Sequence, residues 1–476
     1  MTDLRHITSI NDLTNHEIET TFSLADKYLS ELGDIRATGR TRKKKHLTTH
    51  RIARSGQSGA GFILASLFFE PSTRTRLSFE SAMLRLGGGT ITSSDPATSS
   101  AAKGESLADT VRVVSSYADT IVIRHPRDGA AKLAAQYASI PVINAGDGGH
   151  EHPTQTLCDL FTLYRREKQR LKNLSGMNVV ISGDLRGSRT VHSFVYALAR
   201  FRARIQFVRG APGMELPPHV EWRLRNEFHC HPEKRKAGED DVDLFYVTAD
   251  QSHQLSLITP ENNIKLARAK KAVGAIYVTR FQKERWKDQT QSYMKVDSAF
   301  LKDNKYKRTS VMHPLPRVGE LDIALDRNPR AAYFQQASYG VPVRMALIAA
   351  LLEFEGQHSL EKFESGFRPE SHELYEQPHG SGIACANPNC IVHDQHEGPY
   401  TANKHYIIDW EKPRLRCFYC ENDIENFYVG HRKTRHYGEA EGGVLAKHMR
   451  DLILFATSGE AEAAGYKARK AGKAKT

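Results

Sequence analysis

The chain has 476 residues, a formal net charge of +12, and 39% hydrophobic and 26% charged residues. These proportions are ordinary for a globular protein, and no run of about 18 apolar residues predicts a membrane span or a membrane partner. The N-terminal residues mix polar and charged side chains and lack the apolar run of a secretory signal, so we expect a cytoplasmic protein. Positive charge suits nucleic acid, a membrane surface or small anionic substrates, and composition alone does not choose among them.

The first part of the chain predicts a helix followed by alternating strands and helices. Apolar side chains recur at helical spacing over residues 11–35. Short apolar runs at 61–69, 120–124, 142–145 and 178–183 predict buried strands in strand-then-helix units. Alternation over this length favours parallel sheets in α/β domains.

The remaining chain extends this pattern and then changes character. Two similar segments, 243–248 and 275–279, have the composition of strands, and the end after Ser458 is rich in Ala, Gly and Lys, so we expect it to be frayed. We predict an α/β fold with two doubly wound parallel-sheet domains and a small C-terminal domain rich in β-strand. The predicted division is a first domain over 1–153, a second domain over 154–340, a closing helix over 341–358, a linker over 359–380, a four-cysteine domain over 381–437, and a C-terminal helix and basic tail over 438–476.

Hydroxyl side chains and an arginine mark a candidate anion site. Ser72, Thr73 and Thr75 lie at the predicted start of a helix that follows a buried strand, with Arg74 between the threonines. Backbone N–H groups and the helix dipole favour an anion at such a position, and arginine can hold phosphate through two parallel hydrogen bonds. Helix capping by the serine is the simpler interpretation, but capping does not require the arginines at 74 and 76.

Five motifs, in order, resemble those of the aspartate and ornithine carbamoyltransferases. The segment 68–80, FFEPSTRTRLSFE, resembles the carbamoyl-phosphate signature of that family. The other motifs, which resemble its mobile loop, the end of its next strand, its HPxQ motif and its HPLPR motif, lie at 103–110, 124–126, 152–155 and 313–317. The resemblance covers about residues 1–355. It implies transfer of a carbamoyl group from carbamoyl phosphate by positioning and electrostatic stabilisation, with no cofactor for catalysis.

The resemblance implies how carbamoyl phosphate is held. The catalytic residues that it implies are Arg74, Thr75, Arg124 and His152. A lone histidine before proline is often only structural, so that alternative stays open for His152. The full set expected to bind carbamoyl phosphate is Ser72, Thr73, Arg74, Thr75, Arg124, His152, Gln155 and the backbone carbonyls of Leu315 and Pro316.

L-Aspartate is the second substrate that the residues favour. Its two carboxylates call for arginines, and segments around Arg189 and around Arg280 and Gln282 resemble the aspartate-binding segments of the family. Lys103 is expected to close over the bound anions. The ornithine enzymes typically carry a cysteine where this chain has Pro314, so aspartate is preferred over ornithine. The implied product, N-carbamoyl-L-aspartate, belongs to an early step of de novo pyrimidine (UMP) biosynthesis.

The resemblance also implies assembly. Ser99 and Lys103 match a loop that, in the family, reaches into the active site of a neighbouring subunit, which implies a homotrimer and leaves open whether trimers pair. Two departures bear on this expectation: Ala102 stands where the family often has a lysine, and residues 249–274 form an insertion between the two similar segments.

Paired cysteines predict a metal centre near the C-terminus. Four thiolates in two closely spaced pairs suit one structural zinc ion, whereas a reactive dithiol needs one pair only. The segment resembles the zinc domain of the aspartate carbamoyltransferase regulatory chain, which implies an assembly role, and we expect no built-in nucleotide control. His393, His396 and His405 are expected at the surface. The predicted ligands are Cys385, Cys390, Cys417 and Cys420.

Two other classes of function compete with the enzyme. A catalytically inactive homologue could serve as an assembly scaffold, but the matched site residues are all present. A basic, zinc-containing nucleic-acid-binding protein would also account for the pI of about 9.3 and the Lys-rich end. Anion-binding arginines explain part of this charge, so a nucleic-acid partner is not expected.

Overall fold

The computed structural model describes twelve stretches of the chain, and Ser99, Gln282 and most of the insertion lie outside them. None of the described helices combines the length and the apolar composition needed to cross a membrane. The described stretches are 4–32, 61–93, 103–209, 214–231, 242–247, 273–280, 295–302, 304–353, 373–377, 382–409, 411–440 and 451–469.

The first domain is built on a four-stranded parallel sheet with the strand order β2-β1-β3-β4. Its strands β1 and β4 are buried along nearly their whole length, which explains their apolar sequences. The elements, in chain order, are α1 (Asn15–Leu32), β1 (Ile63–Phe68), α2 (Thr73–Leu86), β2 (Gly89–Ser93), α3 (Leu107–Val114), β3 (Thr120–His125), α4 (Ala130–Tyr137) and β4 (Val142–Asp147).

The second domain is built on a six-stranded parallel sheet with the order β10-β9-β5-β6-β8-β7. The prediction of two parallel-sheet α/β domains is therefore confirmed. The elements are α5 (Pro153–Arg166), β5 (Asn178–Gly183), α6 (Arg189–Arg200), β6 (Arg204–Arg209), α7 (Pro218–Asn226), β7 (Cys230–His231), β8 (Val242–Val247), β9 (Val273–Val278), β10 (Ser310–Met312), α8 (Tyr333–Ser338) and α9 (Gly340–Leu351).

Helix α9 contacts both α/β domains and does not only close the second one. It packs against α1 and α2 of the first domain as well as against α5. Nearly all of its side chains are buried, because its sequence is apolar on every face. The end of the catalytic part of the chain therefore fastens the two sheets to each other.

The C-terminal part contains two small sheets, as a strand-rich domain requires. The first is antiparallel with the order β11-β12-β13-β14, and the second has the order β17-β15-β16-β18. The elements are β11 (Glu373–Gln377), β12 (Asn403–Asp409), β13 (Arg414–Cys417), β14 (Asp423–Ile424), β15 (Tyr428–His431), β16 (His436–Glu439), β17 (Leu452–Phe455), α10 (Ser458–Ala463) and β18 (Lys467–Ala468).

Three expectations for this part were wrong. The predicted boundary at 437/438 falls inside β16, and β17 and β18, which follow it, pair with β15 and β16. The predicted linker contains β11, which pairs with β12. The end after Ser458 is not uniformly frayed, because Thr457 caps α10 through the N–H of Glu460. Backbone pairing, which composition does not reveal, is the physical reason in the first two cases, and a side-chain helix cap is the reason in the third.

Candidate active site and metal centre

The predicted anion site lies between the end of β1 and the start of α2. Ser72 occupies the N-cap position of α2, but its side chain makes no capping hydrogen bond, so capping does not account for the serine. Phe68 of β1 pairs with Arg124 at the end of β3, which places this arginine at the same edge of the sheet. Parallel strands present their carboxyl ends together, and such edges bind ligands in open α/β sheets.

A second arginine from the other domain faces this helix start. Arg280 follows the end of β9, and its positive charge lowers the pKa of Arg74, together with the larger effect of partial burial. In the part of the chain that the structure describes, no acidic side chain pairs with Arg74. Two cations held close to one another create a strongly positive region that favours an anion between the domains.

Glu70 connects two of the predicted arginines across the domain boundary. Arg124 Nη2 donates to Glu70 Oε1 at 2.9 Å, and Arg189 donates to both carboxylate oxygens at 2.9 Å. The sequence motifs did not predict this role for Glu70. A carboxylate directly before an arginine-rich motif does, however, indicate a partner that neutralises arginine charge. The bidentate pair fixes the guanidinium of Arg189, which begins α6 in the second domain.

Gly146 makes room for these two guanidinium groups. A Cβ atom at this position would lie 3.0 Å from Arg189 Nε and 3.2 Å from Arg124 Nη1. Its φ of +112° also lies in the region that glycine alone adopts without cost. A larger residue would therefore displace the arginines from their positions.

His152 is a buried, neutral imidazole among arginines. Burial lowers its pKa well below 6.5, and the charges of Arg124, Arg189 and Arg344 lower it further. Its backbone N–H donates to Ser193 Oγ at 2.8 Å, which anchors the start of α5. Because the ring is neutral at pH 7, it can donate one hydrogen bond to a carbonyl oxygen without adding a charge.

The HPLPR loop presents two backbone carbonyls. His313 is buried, with Nε2 at 2.6 Å from Glu320 Oε1, and its Nδ1 accepts from the N–H of Leu315 at 2.7 Å. Within the described stretches, no donor hydrogen-bonds to the carbonyls of Leu315 and Pro316. These oxygens are therefore available to an NH2 group.

Lys103 stands apart from the other predicted site residues. It is exposed, and no hydrogen bond or ion pair among the described residues joins it to them. Glu70 thus joins Arg124 to Arg189, and the charge of Arg280 acts on Arg74, whereas no described contact joins Lys103 to any of these four.

The four predicted metal ligands do converge. Their sulfur atoms are buried and lie within 4.8 Å of one another. The distance is 3.4 Å between the sulfurs of Cys385 and Cys420, and 3.8 Å between those of Cys390 and Cys417. Tetrahedral coordination with metal–sulfur bonds of about 2.3 Å requires sulfurs about 3.8 Å apart, so the geometry fits a four-thiolate metal site.

One expectation about the nearby histidines was wrong. His393 and His396 are exposed, as expected, but His405 is buried on β12. Burial lowers its pKa to about 4. Inward-facing residues alternate along β12, and this alternation places His405 on the covered face.

The metal-site domain packs on both catalytic domains of its own chain. Asn387 and Asn389 donate to the two oxygens of Asp128, at 2.7 and 2.9 Å. Glu421, next to the last cysteine, accepts from Lys132 of α4 at 3.4 Å and pairs with Arg223 of α7. This carboxylate therefore joins elements of both domains.

Comparisons with known proteins agree with this geometry. The family described as "Aspartate/ornithine carbamoyltransferase, carbamoyl-P binding domain" matches residues 5–165, and its "Asp/Orn binding domain" matches 175–351. The "Aspartate carbamoyltransferase regulatory chain, metal binding domain" matches residues 379–429. The prediction of a metal-binding domain is thereby confirmed.

Catalytic subunits of aspartate carbamoyltransferase are among the similar proteins. That of Thermoplasma volcanium is 41% identical over 352 residues, which are 73% of this chain and 98% of the relative. A solved structure of the catalytic subunit from M. jannaschii has 36% identity and a TM-score of 0.55, and covers 74% of this chain and 99% of its own. The enzyme of Trypanosoma cruzi, solved with N-(phosphonacetyl)-L-aspartic acid, has 31% identity and a TM-score of 0.55, and covers 73% of this chain and 95% of its own. The chain belongs to the aspartate/ornithine carbamoyltransferase family and carries, in the same polypeptide, a metal-binding domain of the regulatory-chain type.

Proposed function

We propose that the residues gathered between the two domains transfer the carbamoyl group of carbamoyl phosphate to L-aspartate, giving N-carbamoyl-L-aspartate and phosphate. The observation that carries this proposal is the set of arginines at the boundary of the two domains: Glu70 joins Arg124 of the first domain to Arg189 of the second, at the sheet edge where α2 begins with Arg74. The amine attacks the carbonyl carbon, the carbonyl oxygen gains negative charge, and phosphate leaves as the C–O bond breaks and takes up the proton that the amine loses. Each change increases negative charge where arginines are fixed, which lowers the barrier.

Carbamoyl phosphate would occupy the first-domain half of the site. The phosphate would bind the N-terminus of α2 through Ser72, Thr73, Arg74 and Thr75. The carbonyl oxygen would accept from Thr75, Arg124 and neutral His152. The NH2 group would donate to Gln155 and to the carbonyls of Leu315 and Pro316.

L-Aspartate would bind on the second-domain side. Its carboxylates suit Arg189 and Arg280, with Gln282, and with Lys103 supplied by a neighbouring chain. Glu70 balances the charge of Arg189 through its two carboxylate oxygens. A cationic ornithine side chain would meet these arginines with like charge, so aspartate is the acceptor that the site favours.

Acceptor choice tests the function. The purified chain, incubated with carbamoyl phosphate, is expected to form carbamoylated product from L-aspartate and none above background from L-ornithine, as measured by mass spectrometry. Product from ornithine would move the assignment to the other branch of the family. No product from either, in a folded protein, would favour the inactive scaffold.

Replacing Glu70 by glutamine should lower kcat by roughly 10- to 100-fold. The change removes the charge that pairs Arg124 with Arg189 while preserving side-chain volume, and charge-assisted hydrogen bonds of this kind contribute about 1.5–3 kcal/mol each. Steady-state kinetics for both substrates would measure it. Glu80→Gln, in α2 and paired with Arg76, is the matched control and should retain most activity.

We further propose that the chain works as a homotrimer whose sites are shared between neighbours. Lys103 is exposed and separate from its own site, which supports its use by an adjacent chain. Arg74→Ala and Lys103→Ala chains, each nearly inactive alone, should recover roughly one quarter of wild-type activity when refolded together, because one interface in four then joins intact halves. Recovery no greater than the sum of the separate variants would contradict shared sites.

Zinc is the metal that we propose for the four-cysteine site. Four thiolates with tetrahedral spacing leave no open coordination position, so the ion would be structural and would take no part in the reaction. Its role would be to hold Cys420 and the adjacent Glu421 against Lys132 and Arg223, which keeps the metal-site domain docked on both catalytic domains. Pairing of trimers through this domain remains a further proposal.

A further inference from the structure

Asp159 lies at the centre of a buried hydrogen-bond network behind the carbamoyl-binding side chains. It follows Gln155 by about one turn of α5 and has no exposed surface. Its Oδ1 accepts from Gln155 Nε2 at 2.7 Å and from Gln336 Nε2 at 2.6 Å. Its Oδ2 accepts from the Tyr277 hydroxyl at 2.8 Å. One carboxylate therefore fixes side chains from α5, α8 and β9.

The first of these bonds decides which end of the Gln155 amide faces the substrate. A carboxylate oxygen accepts hydrogen bonds, so only the NH2 end of Gln155 can turn toward Asp159. The amide oxygen is then left to accept a hydrogen bond from another group. That oxygen is the partner that a carbamoyl NH2 requires. If the amide reversed, an NH2 group would meet an NH2 group.

The second bond extends the same control to the HPLPR loop. While Gln336 Nε2 donates to Asp159, Gln336 Oε1 accepts from the backbone N–H of His313 at 2.9 Å. The His313 ring in turn accepts from the N–H of Leu315 at 2.7 Å. The backbone segment that presents the Leu315 carbonyl is therefore tied to Asp159 through two residues.

We propose that Asp159 is a positioning residue that orients both acceptors for the carbamoyl NH2 group: the side-chain oxygen of Gln155 directly, and the Leu315 carbonyl through Gln336 and His313. This inference rests on the proposed function, because it names the part of the substrate that the network serves. Asp159 does not itself touch the substrate, since its oxygens are occupied by three protein donors.

The free energy of ionising Asp159 helps to distinguish a residue that positions other side chains from one that stabilises the fold. Burial raises the pKa of Asp159 to about 7, because the hydrogen bonds of Gln336, Gln155 and Tyr277 and the charge of Arg344 offset only part of the desolvation. A carboxyl whose folded pKa is above its unfolded value loses stability as pH rises through the interval between them. Above pH 7 the ionised form of Asp159 is therefore less favourable to folding than the protonated form would be.

The test compares two ligands that differ in the amide group. Phosphonoacetamide carries both a phosphonate and an NH2-bearing amide, whereas inorganic phosphate carries only the anion. At pH 8, where Asp159 is ionised, the variant Asp159→Leu should show about 30-fold weaker binding of phosphonoacetamide and nearly unchanged binding of phosphate in titration calorimetry, because leucine offers no acceptor to Gln155 or Gln336. Tyr277→Phe, which removes a donor to Asp159 without touching Gln155, is the matched control and should change both affinities little.

Other outcomes would overturn the inference. Equal weakening of both ligands with a lower melting temperature at pH 8 would show a structural role. Unchanged binding of phosphonoacetamide by the Asp159 variant would show that Asp159 does not orient the Gln155 amide. If the wild-type chain itself failed to prefer phosphonoacetamide over phosphate, carbamoyl recognition and with it the proposed function would fail, which a loss of preference in the variant alone would not imply.

Discussion

Replacement of Arg74 by alanine should lower kcat/KM for carbamoyl phosphate by about 10³-fold. Arg74 lies at the N-terminus of α2, where the leaving phosphate would gather charge, and it faces Arg280 with no acidic partner among the described residues. The substituted site would lose a bidentate donor whose interaction strengthens as the bond to phosphate breaks. Initial rates at varied carbamoyl phosphate and saturating L-aspartate would measure the change.

Arg76→Ala is the matched control for this prediction. Arg76 belongs to the same helix, and its guanidinium lies 3.7 Å from Glu80. Its removal should change kcat/KM by no more than about threefold, because a partly exposed ion pair contributes about 1 kcal/mol or less. Similar losses in both variants would point to disruption of α2 and would contradict the role assigned to Arg74.

Substitution of Cys417 by serine should abolish metal binding and unfold the metal-site domain. Binding of a structural zinc ion contributes roughly 10–16 kcal/mol in small metal-dependent domains, which matches or exceeds the whole stability of a typical domain. The cysteines also pack, through Tyr419, against α4 of the first domain, where a Cβ on Gly129 would come within 2.6 Å of Tyr419. Loss of the ion should therefore release this contact as well.

Elemental analysis and hydrogen exchange would measure the two parts of that prediction. The wild-type chain should hold zinc, and strands β12 and β13 should exchange slowly. Cys417→Ser should hold none, and both strands should exchange rapidly. Cys230→Ser, a buried cysteine outside the cluster, is the control and should keep its metal. Slow exchange in metal-free Cys417→Ser would mean that the domain does not depend on the ion.

Local patterns were sufficient to predict the catalytic architecture. The predicted strand 178–183 coincides with β5, because a strand buried on both faces in a parallel sheet has a continuous apolar sequence. The two similar segments at 243–248 and 275–279 are the strands β8 and β9. The Ser-Thr-Arg-Thr motif predicted an anion site for a comparable reason: its chemistry depends on neighbouring residues at the start of one helix.

Contacts between distant residues could not be predicted in this way. Glu70 pairs with Arg189, which is 119 residues away, and Asp159 reaches Gln336 across 177 residues. Packing of one domain on the other creates the first pair, and packing of α8 on α5 within the second domain creates the second. Only the resemblance to a known family predicted that four arginines belong to one site, namely Arg74, Arg124, Arg189 and Arg280. Taken alone, each of them is typical of an exposed surface charge.

The small C-terminal sheets were hard to predict for a different reason. Strand β14 has two residues, and β11 has the polar sequence ELYEQ. Neither is long enough or apolar enough to show a period of two. Buried His405 shows the same limitation, because its neighbours on β12 include both polar and apolar side chains.

A bisubstrate analogue, in which a phosphonate analogue of carbamoyl phosphate is joined covalently to L-aspartate, offers the most direct test that one site holds both substrates. Calorimetry of the wild-type chain should show tight binding at one analogue per chain, at least about 100-fold tighter than phosphonoacetamide, since one ligand then engages the arginines of both domains. The corresponding ornithine analogue should bind no more tightly than phosphonoacetamide. Equal affinity for the two analogues, or no gain over phosphonoacetamide, would contradict an aspartate carbamoyltransferase site built from Arg74 and Arg280.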